Sequence, residues 1–275
     1  MFVIVIYTLS KMSRIFQFYS EMSHYGDTIF NLRFFYNIAS FLKENNIKVL
    51  YFYDCNYIKN RIELDRYVDT EVVTLLDITD PRFKNPTQNL WMAESVYGFN
   101  IYQNFIDYFN KFYLRISNML GLTLDPLYTN FFQPEFYLEN IYNELDPKYK
   151  NLDILIINSE PQSKQFEYNK PEFDRLCSKL SESYKVATTT FVNSSIPCTF
   201  EDGLTIQDIG AISTKAKYIM GVLSGPMTAC FNKLTIDHVD RLFILCTSLF
   251  GIRHSKIQTM SKLRTLDTEF RLLRG

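Results

Sequence analysis

The sequence has few of the side chains that most often bind metal ions in proteins. Its 275 residues include three histidines and five cysteines. No two histidines share a helical or hairpin spacing, and no cysteines form a Cys-x-x-Cys pair, so neither a histidine-based metal site nor a zinc site is indicated. The cysteines are odd in number and widely spaced, which argues against a disulfide framework and favours a reducing compartment such as the cytoplasm.

Two common nucleotide-binding signatures are also missing. No Gly-x-Gly-x-x-Gly follows the first predicted strand and no Gly-x-x-x-x-Gly-Lys occurs, which argues against a dinucleotide oxidoreductase and a P-loop kinase. The formal net charge of −1 and the pI near 6.3 provide no general attraction for nucleic acid, so no nucleic-acid partner is expected.

No apolar run is long enough to predict a transmembrane segment. Residues 1–11 begin with the apolar stretch MFVIVIYTL, which is too short to span a bilayer and has no basic region or cleavage-site pattern beside it. It is either an extra edge strand or translated sequence upstream of a true start at Met12. The second interpretation is favoured, because Met12 directly precedes the first predicted strand.

The hydrophobic residues predict a globular α/β protein. With 24 phenylalanines and 19 tyrosines the chain can build large aromatic cores. Its length allows two domains of about 130 residues each. After Met12, strands are predicted at residues 14–20, 47–53 and 71–78, and a helix at 27–44. This order implies a parallel sheet whose ligand face lies at the carboxyl ends of the strands.

The loop after the first predicted strand, residues 21–27, lies where this rule places ligand-binding groups. Gly26 can adopt a positive φ, and Asp27 is predicted to cap the following helix. Asp27 is interpreted either as an ordinary N-cap or as a general base that faces a cleft, and the two roles are compatible.

Residues 81–150 are rich in aromatic side chains. Helices are predicted at residues 101–120 and 134–145, and the aromatic stripe of the first helix is typical of a core-facing surface. Trp91, the single tryptophan, could line a sugar site by stacking on an apolar sugar face.

A linker predicted at residues 146–151 divides the chain into an N-terminal domain, 12–147, and a C-terminal domain, 148–275. The second domain repeats the alternation of the first. Its predicted elements are strands at 152–158, 185–190 and 218–222 and helices from 171, at 206–216, at 236–251 and at 256–273. The loop after its first strand contains Lys164, which is either a phosphate contact or an ordinary exposed lysine.

The segment from Lys215 to Asn232 contains the most distinctive turn of the second domain. A short buried strand ends at Ser224-Gly225-Pro226, and a helix is predicted to start there. The unpaired N–H groups at the start of such a helix can hold an anionic group such as a diphosphate. The alternative is a plain strand–turn–helix connection, since glycine and proline occur in many such turns.

The same segment resembles part of a known family. Residues 205–232, TIQDIGAISTKAKYIMGVLSGPMTACFN, are similar to the donor-binding segment of the ADP-heptose:lipopolysaccharide heptosyltransferases, which are inverting GT-B glycosyltransferases. The family segment is a helix of the form Leu-x-Glu-Leu-x-x-Leu-Ile-x-x-Ala, a strand, and Gly-Val-Asp-Ser-Gly-Pro-Met-His. The matching residues here are Ala211, Ile212, Ala216, Gly221, Val222, Ser224, Gly225, Pro226 and Met227.

Two shorter matches extend the resemblance. Gly26-Asp27 looks like the family's Gly-Asp, whose aspartate is the catalytic base. Lys164 is similar in position to a family lysine that contacts the donor phosphate, and Phe166 stands where the family often has Trp. The resemblance implies a catalytic role for Asp27 and donor binding by Lys164, Ser224, Gly225, Pro226, Met227 and Thr228. The acceptor side is predicted to include His24, Gly26 and Trp91.

The resemblance implies a compact GT-B fold, in which two Rossmann-like domains face each other across a cleft. It also implies transfer of a sugar from a nucleotide-sugar donor to a glycan or another hydroxyl acceptor, with inversion and without a metal ion or other cofactor. The sequence contains no Asp-x-Asp motif, which the metal-dependent GT-A transferases require, and this agrees with the expectation.

The sequence also departs from the family pattern. Leu223 stands in place of the family's aspartate and Thr228 in place of its histidine, and a helix is predicted at 236–251 where the family forms a strand. The last predicted helix, 256–273, resembles the crossing helix of GT-B proteins. The departures keep two alternatives open: a degraded transferase that binds nucleotide or glycan without turnover, and a structural scaffold.

Overall fold

The computed structural model describes residues 13–20, 25–56, 64–83, 88–90, 105–161, 166–246, 252–263 and 265. Within these ranges the chain forms two parallel β-sheets accompanied by helices, which confirms the predicted α/β class. None of the described helices has both the length and the apolar character needed to cross a bilayer.

The first sheet is built from the N-terminal half of the chain. Its strands are β1 (Arg14–Tyr19), β2 (Ile47–Tyr53), β3 (Val73–Asp77) and β4 (Gln88–Asn89), and its helices are α1 (Tyr25–Asn37) and α2 (Ala39–Glu44). All four strands are parallel, in the order β3-β2-β1-β4. β2 lies between two neighbours and is largely buried, which explains its nearly continuous apolar sequence.

The first three strands lie where the sequence predicts them, whereas β4 is an unpredicted addition. The helix predicted at 27–44 begins earlier, at Tyr25, and is divided at Ile38 into α1 and α2. The break is local, because the amide of Ile38 still donates to Phe34 O and its carbonyl still accepts from Leu42.

Two further helices, α3 (Phe105–Leu120) and α4 (Leu138–Glu144), precede the second sheet. α3 buries the aromatic stripe that the sequence predicts. The helix predicted from residue 134 begins later, because the amide of Phe136 donates to Pro134 O in a tight turn. The predicted linker contains a short 3-10 turn, Pro147–Tyr149, and the Tyr149 side chain is buried.

The second sheet is built from the C-terminal half and has five parallel strands. These are β5 (Ile154–Ile157), β6 (Val186–Thr188), β7 (Tyr218–Val222), β8 (Arg241–Leu245) and β9 (Ile257–Met260), in the order β6-β5-β7-β8-β9. The helices of this half are α5 (Lys170–Ser181), α6 (Ile206–Ser213), α7 (Gly225–Ala229) and α8 (Lys233–His238).

The helix predicted at 236–251 is wrong. α8 ends at His238, Val239 begins the exit from the helix, and β8 then pairs in parallel with β7. The apolar spacing that suggests one helix arises because a short helix is followed directly by a strand buried on both faces.

The helix predicted at 256–273 is wrong in its first part. Ile257–Met260 forms β9, which pairs in parallel with β8. Ile257 and Thr259 are β-branched and favour a strand where a neighbouring strand is available. Residue 264 and residues 266–275 lie outside the described residues, so a crossing of the last helix to the N-terminal half stays a prediction.

The two halves share one hydrophobic core. Phe30 of α1 stacks on Phe231 with ring centroids 6.3 Å apart, and the centroid of Phe131 lies 5.2 Å from that of Phe231. Buried residues of both sheets belong to the same contiguous cluster. The division into domains at 12–147 and 148–275, with a cleft between them, stays a prediction.

A buried arginine joins the halves beside these rings. Arg33 of α1 donates from Nη1 to Thr228 O at 2.7 Å and from Nη2 to Phe231 O at 2.8 Å. Its Nη2 also lies 2.5 Å from Oε2 of Glu135, and both side chains are only 2% exposed. Glu135 accepts a further hydrogen bond from the Tyr137 hydroxyl at 2.6 Å. We call Arg33, Glu135 and the two carbonyl groups the arginine clamp.

The arginine clamp brings opposite charges together where water is excluded. The carbonyl groups near the end of α7 carry partial negative charge, so a cation is favourable there. Burial raises the pKa of the Glu135 carboxyl above its ordinary value, whereas the Arg33 charge acts in the opposite direction. The side chain of Arg33 therefore both neutralises Glu135 and holds α1 against α7.

Additional hydrogen bonds tie the halves together away from the clamp. The side-chain oxygen of Gln133 accepts from Asn37 at 2.7 Å, and its backbone carbonyl accepts from the amide of Lys233 at 2.9 Å. The side chain of Gln207 donates to Arg66 O at 2.9 Å. The contact between the halves therefore also includes Arg66, which bonds to α6, and Gln133, which bonds to the first residue of α8.

A glycine of β7 lies directly against the backbone of β5. Gly221 has a φ of +151°, and a Cβ atom placed on it would lie 2.1 Å from the carbonyl oxygen of Ile157. Because that oxygen belongs to the backbone, a change of rotamer cannot make room. The pairing of β5 with β7, and hence the position of the loops that follow them, depends on the missing side chain.

We expect Gly221→Ala to lower the free energy of unfolding by about 3 kcal/mol or more, because the backbone of β5 must move. Gly203→Ala is the matched control: Gly203 also has a positive φ, +70°, but no atom lies within 4 Å of an added Cβ. It should lose only about 1–2 kcal/mol. Urea unfolding followed by circular dichroism measures both variants, and equal losses would contradict the close approach.

We expect Arg33→Met to lower the free energy of unfolding by about 3–5 kcal/mol, because it leaves a buried carboxylate without its cation. Without Arg33, burial alone keeps the pKa of Glu135 above its unfolded value. Protonation of Glu135 then stabilises the folded variant at low pH, and this stabilisation is lost as the pH rises. The difference from the wild type, measured by urea unfolding, should be smaller at pH 5 than at pH 8.

Two further variants control this experiment. Arg33→Met combined with Glu135→Gln removes the orphaned charge, so its difference from the wild type should change less between the two pH values than that of Arg33→Met alone. Arg115→Met removes an exposed arginine of α3 and should cost less than about 1 kcal/mol. A loss of that size for Arg33→Met at both pH values would show that the clamp does not join the halves.

Candidate functional site

Both sheets have a topological switch point. In the N-terminal sheet the chain passes from β1 to β2 and β3 on one side and then places β4 on the other side of β1. In the C-terminal sheet it passes from β5 to β6 and then places β7 on the other side of β5. Open α/β sheets bind ligands at the carboxyl ends of the strands beside such a point. The described residues that follow β1, β5 and β7 at these edges, among them Gly26, Ser159 and Ser224, therefore form the candidate site.

Two serines meet at the switch point of the C-terminal sheet. Ser159 follows β5 and Ser224 follows β7, and their hydroxyl oxygens are 3.4 Å apart. Ser224 is the N-cap of α7 but makes no side-chain cap hydrogen bond, so its hydroxyl serves the contact with Ser159 instead. We call these two residues the serine pair. The backbone of Gly225, which is half-buried, lies directly after it.

A buried asparagine fixes the loop that carries Ser159. The side-chain oxygen of Asn158 accepts from the amides of Thr189 and Thr190 at 3.0 and 2.9 Å, and its side-chain nitrogen donates to Thr190 O at 3.1 Å. The carbonyl of Asn158 accepts from the Tyr168 hydroxyl at 2.5 Å. The ends of β5 and β6 are thus held together, and the backbone that leads into Ser159 is fixed.

The first turn of α1 approaches the same place from the N-terminal half. A Cβ atom on Gly26 would lie 3.2 Å from Oγ1 of Thr228 and 3.8 Å from the Cα of Gly225. The structure therefore brings the predicted Gly26-Asp27 segment against the predicted donor turn. Arg33 lies about two helical turns further along α1, and the arginine clamp holds this contact.

Two predictions for this segment are wrong in detail. α1 begins at Tyr25, so Asp27 lies in its first turn and is not its N-cap. Gly26 has no positive φ, because it is already helical; the absent side chain instead permits the close approach to Gly225. The structure describes the backbone of Asp27 but not its side chain, so the role of Asp27 as a base stays a prediction.

The side chains that follow Gly225 face the protein interior. Pro226 and Met227 are buried, and Met227 belongs to the shared core. Thr228 is 3% exposed, and its hydroxyl donates to Ser224 O at 3.2 Å. A ligand at this turn would meet the hydroxyl of Ser224 and the backbone of Gly225. Donor binding by residues 224–228 stays a prediction.

Three predicted site residues lie outside the described residues. Lys164 belongs to the loop after β5, between the described residues 161 and 166. His24 belongs to the loop after β1, and Trp91 follows the segment that contains β4. Their predicted roles in donor and acceptor binding stay predictions.

Ser159 is the site residue that the sequence analysis does not single out. A signal for it is nevertheless present in the sequence. Ser159 and Ser224 are each the second residue after a buried parallel strand, one after β5 and one after β7. Since adjacent parallel strands end at the same edge of a sheet, equal spacing from two neighbouring strands places the hydroxyls side by side.

One described cluster has the donor atoms of a metal site. The ligand atoms of Asp54, Cys55 and Asp77, at the ends of β2 and β3, lie within 4.8 Å of one another. The Asp77 carboxylate already accepts from the amides of Cys55 and Thr79, at 3.0 and 2.8 Å. Hydrogen bonding to Asp77 raises the pKa of the Cys55 thiol, which opposes the thiolate form that binds metals. We therefore interpret the cluster as a hydrogen-bonded turn and not as a metal site.

No family model matches the sequence, and no curated protein matches it either. The structure, by contrast, is similar to several solved structures. One is the E. coli heptosyltransferase WaaC with ADP-2-deoxy-2-fluoro heptose, with a TM-score of 0.50 and 8% sequence identity over 95% of this chain and 100% of that chain.

Two further solved structures are similar to this chain. One is a glycosyl transferase family 9 protein from Veillonella parvula, with a TM-score of 0.45, 12% identity and coverage of 94% of this chain and 90% of that chain. The other is the iron-containing dodecameric glycosyltransferase TibC from enterotoxigenic E. coli, with a TM-score of 0.47, 12% identity and coverage of 91% of this chain and 64% of that chain.

The similarity to WaaC covers both halves of the chain and is consistent with a GT-B-like glycosyltransferase fold. The resemblance predicted from short sequence matches is therefore confirmed as a likeness of fold, at very low sequence identity.

Proposed function

We propose that the chain is a glycosyltransferase that moves a sugar from a nucleotide-sugar donor to a hydroxyl group of a glycan or another acceptor. One observation carries the proposal: the first turn of α1, with Gly26, meets Thr228 and Gly225, and Gly225 directly follows the serine pair at the carboxyl edge of the second sheet. A base from one half and a phosphate-binding turn from the other would then face a single reaction site.

The donor diphosphate would lie at the switch point of the C-terminal sheet. The hydroxyls of Ser159 and Ser224 can donate to phosphate oxygens, as can the backbone N–H groups around Gly225. Lys164, on the same loop as Ser159, would supply a positive charge. These groups would stabilise the charge that develops on the leaving nucleoside diphosphate without a metal ion.

The acceptor hydroxyl would be activated from the N-terminal half. Asp27 would take the hydroxyl proton while the acceptor oxygen forms a bond to the anomeric carbon and the bond from that carbon to the diphosphate breaks. Attack from the face opposite the leaving group inverts the anomeric centre. His24 and Trp91 would bind the acceptor on the same side.

A binding protein without turnover is the second candidate. It is favoured by Leu223 and Thr228, which replace the polar aspartate and histidine of the family. Thr228 is enclosed by Gly26 and Ser224, so its side chain cannot take over the position of a histidine that reaches a ligand. A structural scaffold is the third candidate, and it predicts that no nucleotide binds.

We expect one nucleoside diphosphate among ADP, GDP and UDP to raise the melting temperature, and EDTA to leave this rise unchanged. A ligand at a hundredfold excess over its Kd stabilises the folded state by about 2.7 kcal/mol. Differential scanning fluorimetry measures the shift for each nucleotide and its common sugar conjugates. If no nucleotide produces a rise, the scaffold is the better description.

We expect Ser159→Ala and Ser224→Ala each to weaken binding of that nucleotide about ten- to a hundredfold, because a hydrogen bond to a charged group contributes about 1.5–3 kcal/mol. Ser183→Ala is the control: Ser183 is exposed and precedes β6, at the opposite edge of the sheet. Isothermal titration calorimetry measures the three Kd values. If the Kd for the nucleotide is unchanged in both Ser159→Ala and Ser224→Ala, the phosphates do not bind at the serine pair.

We expect Asp27→Asn to slow sugar transfer about 10²- to 10⁴-fold while nucleotide binding stays unchanged, because the variant loses general base catalysis. Asp107→Asn, an exposed aspartate in the first turn of α3, is the control and should keep full activity. Release of nucleoside diphosphate from the donor identified by fluorimetry reports the rate. A wild-type chain that binds the donor but releases nothing would favour the binding protein.

A further inference from the structure

Two exposed phenylalanines lie on the loop between β6 and α6. Phe191 is 50% exposed and Phe200 is 42% exposed, and among the described residues of the C-terminal half they are the large hydrophobic side chains with high exposure. The loop begins at the carboxyl end of β6, so it lies at the same edge of the sheet as the serine pair. We call Phe191 and Phe200 the aromatic rim.

The aromatic rim is held in place by the backbone of its loop. Thr190, next to Phe191, is bonded to Asn158, and the carbonyl of Phe191 accepts from the Lys170 side chain at 3.0 Å. The amide of Phe200 donates to Thr189 O at 3.3 Å. The backbone that carries the two rings is therefore fixed, and the rings are exposed to solvent although burying a phenylalanine side chain is favourable.

Asn158 connects the aromatic rim to the serine pair. It bonds the start of the rim loop through its side chain and is followed directly by Ser159. β5 separates β6 from β7, so the rim starts about two strand spacings, ~10 Å, from the strand that carries Ser224. A nucleoside diphosphate whose phosphates lie at the serine pair is long enough for its base to reach the loop after β6 across this distance.

We propose that the aromatic rim stacks on the base of the donor nucleotide. The inference rests on the proposed function, because the serine pair must hold the diphosphate for the base to reach β6. A flat base offers a π-face that suits an exposed phenylalanine ring, whereas the diphosphate does not. Stacking would bury apolar ring surface that the folded chain leaves in water, and it would select nucleotides over inorganic pyrophosphate.

The test compares a nucleoside diphosphate with inorganic pyrophosphate on the full chain. Phe191→Ala and Phe200→Ala should weaken binding of the nucleoside diphosphate at least fivefold, and at least tenfold together, while the Kd for pyrophosphate stays the same. Phe136→Ala is the matched control, because Phe136 is 55% exposed but lies before α4 in the N-terminal half. Calorimetry measures all the Kd values.

A second variant reports stacking directly. In Phe191→Trp the fluorescence of the new indole should be quenched by the nucleoside diphosphate and not by pyrophosphate. In the control Phe136→Trp the two ligands should have the same effect on the fluorescence. Both variants also contain Trp91, so its contribution is the same in each. If the alanine variants bind the nucleoside diphosphate as tightly as the wild type, the proposed stacking on Phe191 and Phe200 is wrong, but the proposed function is not affected. If neither ligand binds the wild-type chain, both proposals fail.

A further measurement tests whether the aromatic rim instead binds a second copy of the chain. Size-exclusion chromatography of the wild type and of Phe191→Ala compares their oligomeric states. A change of oligomeric state that accompanies the loss of the ring would overturn base stacking in favour of an interface between copies. The same elution volume for both chains, together with the selective loss of nucleoside diphosphate binding, supports the aromatic rim.

Discussion

The position of one buried cation determines how the two sheets meet. Arg33 has lost nearly all contact with water, and its compensation comes from Glu135 and from two backbone carbonyls in the other half of the chain. The Arg33 guanidinium tolerates little displacement, because a separation of α1 from α7 would leave a buried charge without its partners. The contact between α1 and α7 is therefore specified by charge as well as by the stacked rings around Phe231.

The candidate site follows from this constraint and from the topology of the sheets. Each half places its loops at the carboxyl edge of a parallel sheet, but each edge alone offers only part of the chemistry. The fixed contact of Gly26 with Gly225 places the two edges side by side, and Gly221 lets β7 come close enough to β5 for the serine pair to form. At both points, Gly26 and Gly221, a residue without a side chain lies where two stretches of backbone approach each other closely.

Most of the sheet architecture could be predicted from the sequence, because continuous apolar runs bounded by polar residues identify buried parallel strands. The errors occurred where an apolar pattern suits two structures: residues 241–245 and 257–260 become strands only because β7 and β8 offer them a neighbour. The turn at Ser224 was predictable from its local sequence. The clamp and Ser159 were not, since each depends on residues far away in the chain.

The distance along the chain between the partners of Arg33 has a consequence for biosynthesis. The residue that carries one of its acceptor carbonyls lies 198 positions further along the chain. While the ribosome is still adding the C-terminal half, the first sheet carries an arginine and several aromatic rings for which no cover has yet been made. The face of α1 that packs against α7 and Phe231 therefore stays uncovered until most of the chain has emerged, and transiently exposed apolar surface of this kind promotes aggregation unless a chaperone shields it.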